Sequence, residues 1–273
     1  MVPIKAIDYQ RMRGNFSSHA GAYDRHASVQ RRVVQLLCDK MSATDAGIGM
    51  FLDIGTGTGS LAEALIRVQP GRQLVVMDIA HGMTRQAADR LPAVSACDGD
   101  ARQLPFAAGT FAGVASSSVY QWVDCLPAAF TEVARVLRPG GLFGLALFGE
   151  QTLYELRACH RRAVAENGSK RSSHVQNFPT PNEIAEALAY AGLACRELFG
   201  TLEIEYHADV PALLRQLKQI GASNAATDRP RGLASRRVMQ TMMQHYEEAH
   251  RCEGGLPASY EIIVAIAEKP QSG

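Results

Sequence analysis

Long apolar runs and an excess of charge of either sign are both missing from this sequence. Its 273 residues carry a formal net charge of +1, and no stretch approaches the roughly 18 consecutive apolar residues that a membrane-spanning helix needs. Residues 1–15 mix charged and apolar side chains, unlike the apolar centre of a secretory signal peptide. We therefore expect a cytoplasmic protein without a nucleic-acid or membrane partner, and we take it to be a monomer.

Paired cysteines are missing as well. The 6 cysteines are scattered and none forms a C-x-x-C motif, so we interpret them as reduced packing residues and predict neither a disulfide framework nor a metal site. With 47% hydrophobic and 20% charged residues, the composition is typical of one large globular domain, or of one domain with an inserted lid.

A glycine-rich turn is the most informative feature that is present. Residues 50–54 are mostly apolar and predict a buried strand. Gly55, Gly57 and Gly59 follow at alternate positions, and the apolar residues in 60–66 then have helical spacing. A strand, a glycine turn and a helix in this order are typical of a nucleotide-type cofactor site, because the glycine backbone allows close approach and the helix offers free N–H groups.

The spacing of the glycines argues against a dinucleotide site. The fingerprint G-x-G-x-x-G/A requires glycine or alanine at the place where Ser60 stands. From Asp53 to Gly59 the order is instead Asp-x-Gly-x-Gly-x-Gly. This order resembles the first motif of class I methyltransferases, which bind S-adenosylmethionine.

Two acidic residues follow two further predicted strands. Strand 73–78 ends in Asp78, which lies 19 residues after Gly59, and strand 93–97 is followed by a turn that contains Asp100. An acid at the end of the second strand can accept hydrogen bonds from both ribose hydroxyls, as in other nucleotide-binding sheets. Asp100 could accept the adenine amino group. The two acids make the cofactor site more specific than the glycines alone.

The remaining core elements continue the alternation of strands and helices. We predict a strand at 110–116, a helix at 126–137 and a strand at 142–148. Gln121 and Trp122, the single tryptophan, follow the first of these strands, at the carboxyl edge of the sheet where ligands bind in this architecture. The alternation predicts an α/β protein with a Rossmann-like, mostly parallel, seven-stranded sheet that has helices on both faces and a helical lid.

The second half departs from simple alternation and suggests a division of the chain. We predict helices at 151–165, 182–191, 209–220 and 233–250, and strands at 193–207 and 259–267. We expect an N-terminal helical segment over the cofactor site at 1–45, a cofactor-binding core at 46–150, lid inserts at 151–182 and 208–256, and the remaining core helix and strands at 183–207 and 257–273.

Tyr23 is the notable residue of the N-terminal segment. It precedes a predicted helix at 29–41, which itself precedes the first core strand, so this segment could lie across the cofactor site. The alternative is a tyrosine that only packs at the start of a helix.

The motifs together resemble those of the malonyl-[acyl-carrier protein] O-methyltransferases of biotin synthesis, within the class I S-adenosylmethionine-dependent methyltransferase superfamily. The match covers nearly the whole chain, and its pieces are Tyr23-Asp24 with Ala27 and Gln30, the glycine motif, Gly99-Asp100-Ala101, Leu104-Pro105-Phe106, Gln121-Trp122, Arg135 to Gly141, Thr152 to Leu156, Leu217 to Ala222, and Pro257 to Tyr260. The sequence departs from the common pattern at Thr56, Ala112 and Ser117. We expect the Thr56 side chain to face away from the ligand.

The resemblance implies a function and a set of site residues. The reaction would be methylation of the free carboxylate of malonyl-acyl-carrier protein, or of malonyl-CoA, with S-adenosyl-L-methionine as cofactor. The implied cofactor-binding residues are Asp53, Gly55, Thr56, Gly57, Gly59, Asp78, Ile79, Met83, Asp100, Ala101 and Ser116. The implied substrate-binding residues are Tyr23, Gln121, Trp122, His174, Phe178 and Lys218, with Tyr23 also catalytic.

This reaction needs no general base, because a carboxylate is already ionised at pH 7. The enzyme must align the carboxylate oxygen, the methyl group and the sulfur in a site that excludes water. The cationic or hydrogen-bonding partner of the carboxylate is left open among Lys218, Arg157 and His174. Tyr23 could close over the methyl group and hydrogen-bond the carboxylate.

The implied protein partner is acyl carrier protein, which is acidic. The lid inserts are basic within a nearly neutral chain and could form its docking face, although ordinary solvated helices would have the same composition. Their basic residues are Arg157, Arg161, Arg162, Lys170, Arg171, Arg215, Lys218, Arg229, Arg231, Arg236, Arg237 and Arg251.

Two other functions stay open at this point. One is a methyltransferase of the same fold that acts on another small acid or on a quinone. The other is an assembly factor or hydroxylase that does not methylate, since a related protein of mitochondrial complex I assembly shares the stretch Thr152 to Arg157.

Overall fold

The structure, a computed structural model, describes residues 7–44, 47–167, 178–221 and 236–271. Seven strands form one sheet in the order β3-β2-β1-β4-β5-β7-β6. Their bounds are β1 Phe51–Ile54, β2 Leu74–Asp78, β3 Ser95–Asp98, β4 Phe111–Ser117, β5 Leu137–Phe148, β6 Ala194–His207 and β7 Leu256–Glu268.

The sheet is mostly parallel, because β7 alone among the described strands runs against its neighbours, β5 and β6. The predicted fold class, a Rossmann-like seven-stranded sheet, is confirmed. β2 pairs with one edge of β1 and β4 pairs with the other edge. The direction in which the chain adds strands across the sheet therefore reverses next to β1. Ligands bind at the carboxyl edge of a sheet next to such a reversal.

Helices cover both faces of the sheet. They are α1 Tyr9–His19, α2 Tyr23–His26, α3 Ser28–Ser42, α4 Ser60–Val68, α5 His81–Arg90, α6 Leu126–Val136, α7 Tyr154–Glu166, α8 Pro181–Tyr190, α9 Val210–Gln219 and α10 Arg236–His250. Short 3-10 turns at Ala20–Ala22 and Tyr120–Trp122 complete the described elements.

The hydrophobic core has one half on each face of the sheet. One half joins α3, α4, α7 and α10 to the strands, with Leu37 and Leu65 among its members. The other half places α6 and α8 on the opposite face, with Phe130 and Ile184 among its members. Strand β1 is buried along its whole length, because both of its faces are covered. This is why its sequence is a continuous apolar run interrupted only by Asp53.

Two strands are longer than the sequence predicted. β5 begins at Leu137 instead of residue 142, and β7 begins at Leu256 instead of residue 259. The extra residues of β5 follow the end of α6 directly, and the extra residues of β7 pair with the end of β6. Both extensions depend on pairing with distant strands, and local periodicity does not report such pairing.

The Thr152 to Leu156 piece anchors the chain after β5 to β7. Leu153 has a left-handed backbone, with φ of 52°, and its N–H donates to the Ser259 carbonyl at 2.6 Å. The buried Glu155 carboxylate accepts hydrogen bonds from the amide and the hydroxyl of Ser259. This motif therefore has a structural role at the start of α7.

The described parts of the two predicted inserts do pack together, since α10 of the second insert contacts α7 of the first. Within the second insert, α10 also contacts α9. The division of the chain into lid and core stays a prediction. Within the described residues, no helix combines the length and the apolar character that crossing a membrane would require.

Candidate active site

Two adjoining cavities lie at the carboxyl edge of the sheet, where β1, β2 and β4 end. The larger has about 680 Å³ of empty space and the smaller about 450 Å³, part of it open to solvent. Both cavities are lined by Tyr23, Gly55, Gly57, Ser117 and Ser118. We call these five residues the junction, because they lie where the two cavities meet.

The glycine turn has a backbone that other residues adopt with strain. Gly55, Gly57 and Gly59 have φ of 66°, 57° and 88°, the left-handed region that glycine tolerates. A side chain at Gly55 would also collide with Val119, since a Cβ there would lie 2.2 Å from its Cγ2. Gly59 is the N-cap of α4, so the free N–H groups of that helix begin at the smaller cavity.

Asp78 lies at the end of β2 beneath this turn and lines the larger cavity. Its Oδ2 accepts a hydrogen bond from the Gly57 amide at 2.9 Å and its Oδ1 accepts one from the Ala80 amide at 2.8 Å. Burial raises the pKa of Asp78 to about 6, against the lowering effect of these amides. The carboxylate is thus fixed in direction and has further lone pairs for a ligand.

Asp53 on β1 lines the smaller cavity. Its Oδ2 accepts a hydrogen bond from the Thr56 hydroxyl at 2.7 Å, so the Thr56 side chain is directed to this acid. Its Oδ1 is buried and accepts no hydrogen bond within the described part of the chain. Burial raises the pKa of Asp53 to about 7. A ligand cation beside this oxygen would supply the missing partner and favour the ionised form.

Asp100 lies at the far end of the larger cavity, where it forms an ion pair with Arg102. The Arg102 amide donates to Oδ1 at 2.9 Å and the guanidinium donates to Oδ2 at 2.6 Å. Burial raises the pKa of Asp100, but the contacts with Arg102 outweigh it and hold the pKa below its ordinary value. The Arg102 guanidinium also lies 3.5 Å from the centre of the Tyr9 ring, so α1 contacts the acid through this arginine.

Tyr9 and the rest of α1 form one wall of the larger cavity. Tyr9, Met12 and Phe16 line it together with Trp122, and the four residues belong to one apolar cluster. Phe16 and Trp122 meet edge to face, with ring centres 5.6 Å apart. The wall is apolar and aromatic, which suits the flat face of a nucleobase. Tyr9 and Met12 carry no signal in the sequence, because they lie on a short helix of mixed composition that has no motif.

Tyr23 belongs to the short helix α2 and reaches the junction from above the glycine turn. Burial, together with the nearby carboxylates of Asp78 and Asp24, raises its pKa above the ordinary value. The hydroxyl therefore keeps its proton at neutral pH and can donate a hydrogen bond.

Most of the predicted cofactor residues come together in the two cavities. The larger is lined by Gly55, Gly57, Asp78, Ile79, Met83, Asp100 and Ala101, and the smaller by Asp53, Gly55, Thr56 and Gly57. Ser116 lies elsewhere: it is fully buried and its hydroxyl donates to the Ile54 carbonyl at 2.9 Å. Ser117 and Ser118 line the junction in its place.

The predicted substrate residues are more dispersed. Trp122 lines the larger cavity, whereas Gln121 lines neither cavity and donates to the Ser118 carbonyl at 2.9 Å. Phe178 packs against the hydrophobic core and Lys218 is exposed on α9, and neither residue lines either of these two cavities. Residue His174 lies outside the described residues. Their roles toward a substrate stay predictions.

The chemistry of the cleft favours a ligand with a polar, partly cationic end and an aromatic end. The smaller cavity offers a buried acid with an unused oxygen and the N-terminus of α4, which together suit an ammonium and a carboxylate group. The larger cavity offers two acids and an aromatic wall. Both requirements are met by S-adenosylmethionine, the cofactor that the sequence predicts.

Comparison with known sequences gives both a domain family and close relatives. Residues 52–145 match the family described as a methyltransferase domain. A malonyl-[acyl-carrier protein] O-methyltransferase from Geobacter sulfurreducens is 41% identical and covers 96% of this chain and 100% of that protein. A protein of the same name from Methylovorus sp. is 36% identical and covers 97% of this chain and 90% of that protein.

A further relative is a biotin biosynthesis bifunctional protein from Teredinibacter turnerae. It is 32% identical and covers 96% of this chain but 47% of that longer protein.

Solved structures with the same fold include the YcgJ protein from Bacillus subtilis and a geranyl diphosphate methyltransferase in complex with S-adenosylmethionine. The TM-scores are 0.59 and 0.53 at 16% sequence identity in both cases. The aligned region covers 88% of this chain and 99% of the first structure, and 97% of this chain and 96% of the second. At this identity the likeness shows a shared fold.

Proposed function

This chain belongs to the malonyl-[acyl-carrier protein] O-methyltransferase family, and on that premise we propose that it transfers a methyl group from S-adenosylmethionine to the free carboxylate of malonyl-acyl-carrier protein, an early step of biotin synthesis. The observation that carries the proposal is the identity of 41% to a family member over 96% of this chain and 100% of that protein. The chemistry of the cleft independently supports S-adenosylmethionine as the methyl donor.

The cofactor fits the donor groups of the two cavities. Asp78 would hold the ribose hydroxyls, and Asp100 with Ala101 would hold the adenine beside the aromatic wall. The unused Oδ1 of Asp53 would accept the ammonium group, and the N-terminus of α4 would receive the carboxylate. When bound, S-adenosylmethionine supplies an electrophilic methyl group on a cationic sulfur.

The residues of the junction then have the task of orienting the accepting carboxylate. Methyl transfer neutralises both the carboxylate and the sulfonium, so a strong ion pair to the carboxylate would stabilise the ground state more than the transition state. Neutral hydroxyl donors avoid this cost. Tyr23, Ser117 and Ser118 line the junction and carry such hydroxyls, and within the described residues the hydroxyls of the two serines are buried and have no hydrogen-bond partner.

Catalysis in this proposal rests on alignment and on exclusion of water rather than on proton transfer. Tyr23 and Phe16 would cover the reacting groups, and no general base is required because the carboxylate is ionised. Methylation removes the charge, so the product resembles the end of an ordinary fatty acyl chain.

Acyl carrier protein is the macromolecular partner in this proposal. Exposed Arg161 and Arg162 on α7 and Arg236 and Arg237 on α10 lie on helices that pack against each other, so they could form one basic docking face. A cytoplasmic location and a monomeric state are part of the same proposal.

The test is incubation of the purified protein with S-adenosylmethionine labelled in the methyl group and with carrier protein loaded with malonyl, succinyl or acetyl. We expect base-labile label on the malonyl form only, because acetyl lacks a carboxylate and succinyl would place it one methylene further along. Label on the succinyl form at an equal rate would contradict malonyl selectivity. Absence of label on all three would overturn the proposed function.

A further inference from the structure

The short helix α2 is held over the glycine turn by the residue next to Tyr23. The Asp24 carboxylate accepts a hydrogen bond from the Thr58 hydroxyl at 2.6 Å and forms an ion pair with Arg90 at 3.1 Å. Thr58 lies between Gly57 and Gly59 at the tip of the turn. Asp24 therefore connects the N-terminal segment directly to the loop that the cofactor would contact.

Arg90, the last residue of α5, makes this connection a network. The same guanidinium nitrogen, Nη1, donates to the Thr58 carbonyl at 3.1 Å and to the Ser60 hydroxyl at 3.1 Å. Its Nε lies 3.2 Å from the Glu63 carboxylate on α4. The Arg90 side chain thus joins α5, the glycine turn and α4. Its ion pair with Asp24 connects α2 to the same network.

The network matters because α2 is short and its Tyr23 is only partly buried against Ala80 and Met83. This helix has four residues, Tyr23–His26, which is a single turn, and an isolated turn of helix is unstable in water. Its other polar anchors act on its backbone: Arg31 donates to the Asp24 carbonyl and Gln216 donates to the His26 carbonyl at 3.3 Å. Of these contacts, those of the Asp24 carboxylate are the ones that tie α2 to the cofactor loop.

We infer that Asp24 is a positioning residue, whose contacts with Thr58 and Arg90 hold α2 so that the neighbouring Tyr23 stays at the junction of the two cavities. The inference rests on the proposed function, because it assigns Asp24 an effect on methyl transfer through Tyr23. Asp24 itself lines the smaller cavity, and its carboxylate is engaged by the two protein partners. Removal of the carboxylate should release Tyr23 without removing a group that binds the substrate.

A double-mutant cycle tests whether Asp24 acts through Tyr23. We expect Asp24→Ala to lower kcat for malonyl-acyl-carrier protein by roughly tenfold in the wild-type background. In a Tyr23→Ala background the same substitution should change kcat by less than about twofold, because the side chain that it positions is already absent. Equal fold-losses in the two backgrounds would overturn the inference.

Glu63→Gln is the matched control. It removes the other carboxylate partner of Arg90 and leaves the contacts of Asp24 in place, so we expect kcat to be unchanged. An equal loss of kcat in Glu63→Gln and Asp24→Ala would show that the effect belongs to Arg90 and α5, and would overturn the role of Asp24. If Asp24→Ala does not fold, Asp24→Asn serves in its place, because it keeps the shape and loses the charge.

Hydrogen exchange separates this inference from the proposed function. Amide exchange of residues 20–27, measured with bound S-adenosylhomocysteine, should be faster in Asp24→Ala than in the wild type and in Glu63→Gln. Unchanged exchange would overturn the inference even if the enzyme methylates malonyl-acyl-carrier protein. A wild-type enzyme that forms no methyl ester would overturn the proposed function, and with it the effect of Asp24 on catalysis, whatever the exchange shows.

Discussion

At the scale of single residues, the two buried acids of the cleft make cofactor binding dependent on pH. Burial raises the pKa of Asp53 to about 7 and that of Asp78 to about 6, from an ordinary value near 3.8. In the unliganded protein the folded state therefore binds more protons than the unfolded state, and these groups lower stability as pH rises from about 4 to about 7. A cationic ligand has the opposite preference, because it favours the ionised carboxylates.

We therefore expect the affinity for S-adenosylmethionine to fall as pH is lowered from 8 to 5.5, by on the order of tenfold. The dissociation constant, measured by calorimetry across this range, checks the expectation. Asp53→Asn should weaken binding at pH 8 and flatten the dependence between pH 6 and 8. A dissociation constant that is independent of pH in the wild type would contradict the assignment of Asp53 to the ammonium group.

The Tyr23 hydroxyl is the second group in the cleft whose loss can be tested at the scale of a single residue. This hydroxyl stays protonated and lies at the junction, so its loss should act on the transition state more than on cofactor binding. We expect Tyr23→Phe to lower kcat by roughly tenfold or more, with the affinity for S-adenosylmethionine changed by a few-fold at most. A tyrosine that only packs would instead lower the melting temperature and leave kcat normal in the folded fraction, so both quantities are measured on one sample.

At the scale of elements, the contact between α1 and α5 decides whether the N-terminal segment closes the cofactor cleft. The Gly82 amide donates to the Ser17 hydroxyl at 3.0 Å. A Cβ at Gly82 would lie 2.5 Å from the carbonyl oxygen of Ser17 and 3.0 Å from the Cα of Ser17. Because two of the three closest atoms belong to the backbone, α1 itself would have to move.

Gly82→Ala should therefore separate α1 from α5 and withdraw Met12 and Phe16 from the cavity wall. We expect S-adenosylmethionine to bind roughly tenfold more weakly, in line with the loss of an apolar contact of this size. Gly14→Ala is the matched control, because Gly14 lies on α1 itself and a Cβ there meets nothing within 4 Å. It should bind normally and be slightly more stable. Equal affinities in the two variants would contradict the role of α1 as a wall.

At the scale of the whole molecule, the net charge is +1, so a docking face for an acidic partner depends on local groups of exposed arginines. α7 carries Arg157, Arg161 and Arg162, and the partly buried Arg157 has a pKa lowered by burial and by the neighbouring Arg161. Arg162 is partly compensated by Glu166 at 2.9 Å. α10 adds the exposed Arg236 and Arg237 and packs against α7, so these arginines are the candidates for the proposed docking face.

Binding of acyl carrier protein should accordingly weaken with added salt, because charges are screened over about 10 Å at 0.1 M ionic strength. Reversal of Arg161 and Arg162 together, or of Arg236 and Arg237 together, should raise the KM for malonyl-acyl-carrier protein by roughly threefold or more. The KM for S-adenosylmethionine should stay the same. Joint reversal of the exposed Arg13 and Arg85, on α1 and α5, is the control for charge alone. Salt-independent binding, or an equal effect of the control, would argue against a basic docking face.

The sequence by itself determined the cofactor core. The apolar run of β1, the three glycines and the acid that ends β2 are local signals, since each depends on periodicity or on the conformations that glycine allows within a few residues. The fold class followed from the order of these elements, and the family followed from the order of the motifs. The elements for which bounds were predicted begin and end close to those positions, apart from the long strands β5 and β7, whereas α1, α2 and α5 had no predicted bounds.

Only the tertiary structure decided which side chains surround the cleft. Ser116 and Ser117 are the last two residues of β4, where successive side chains point to opposite faces. The structure alone shows that Ser117 and Ser118, not Ser116, line the junction. The pairs Asp24–Arg90 and Tyr9–Arg102 join residues that are far apart in the chain, and neither has a local pattern. Such contacts depend on how α1 and α2 pack over the sheet, and this packing is set by the whole fold rather than by any segment of the sequence.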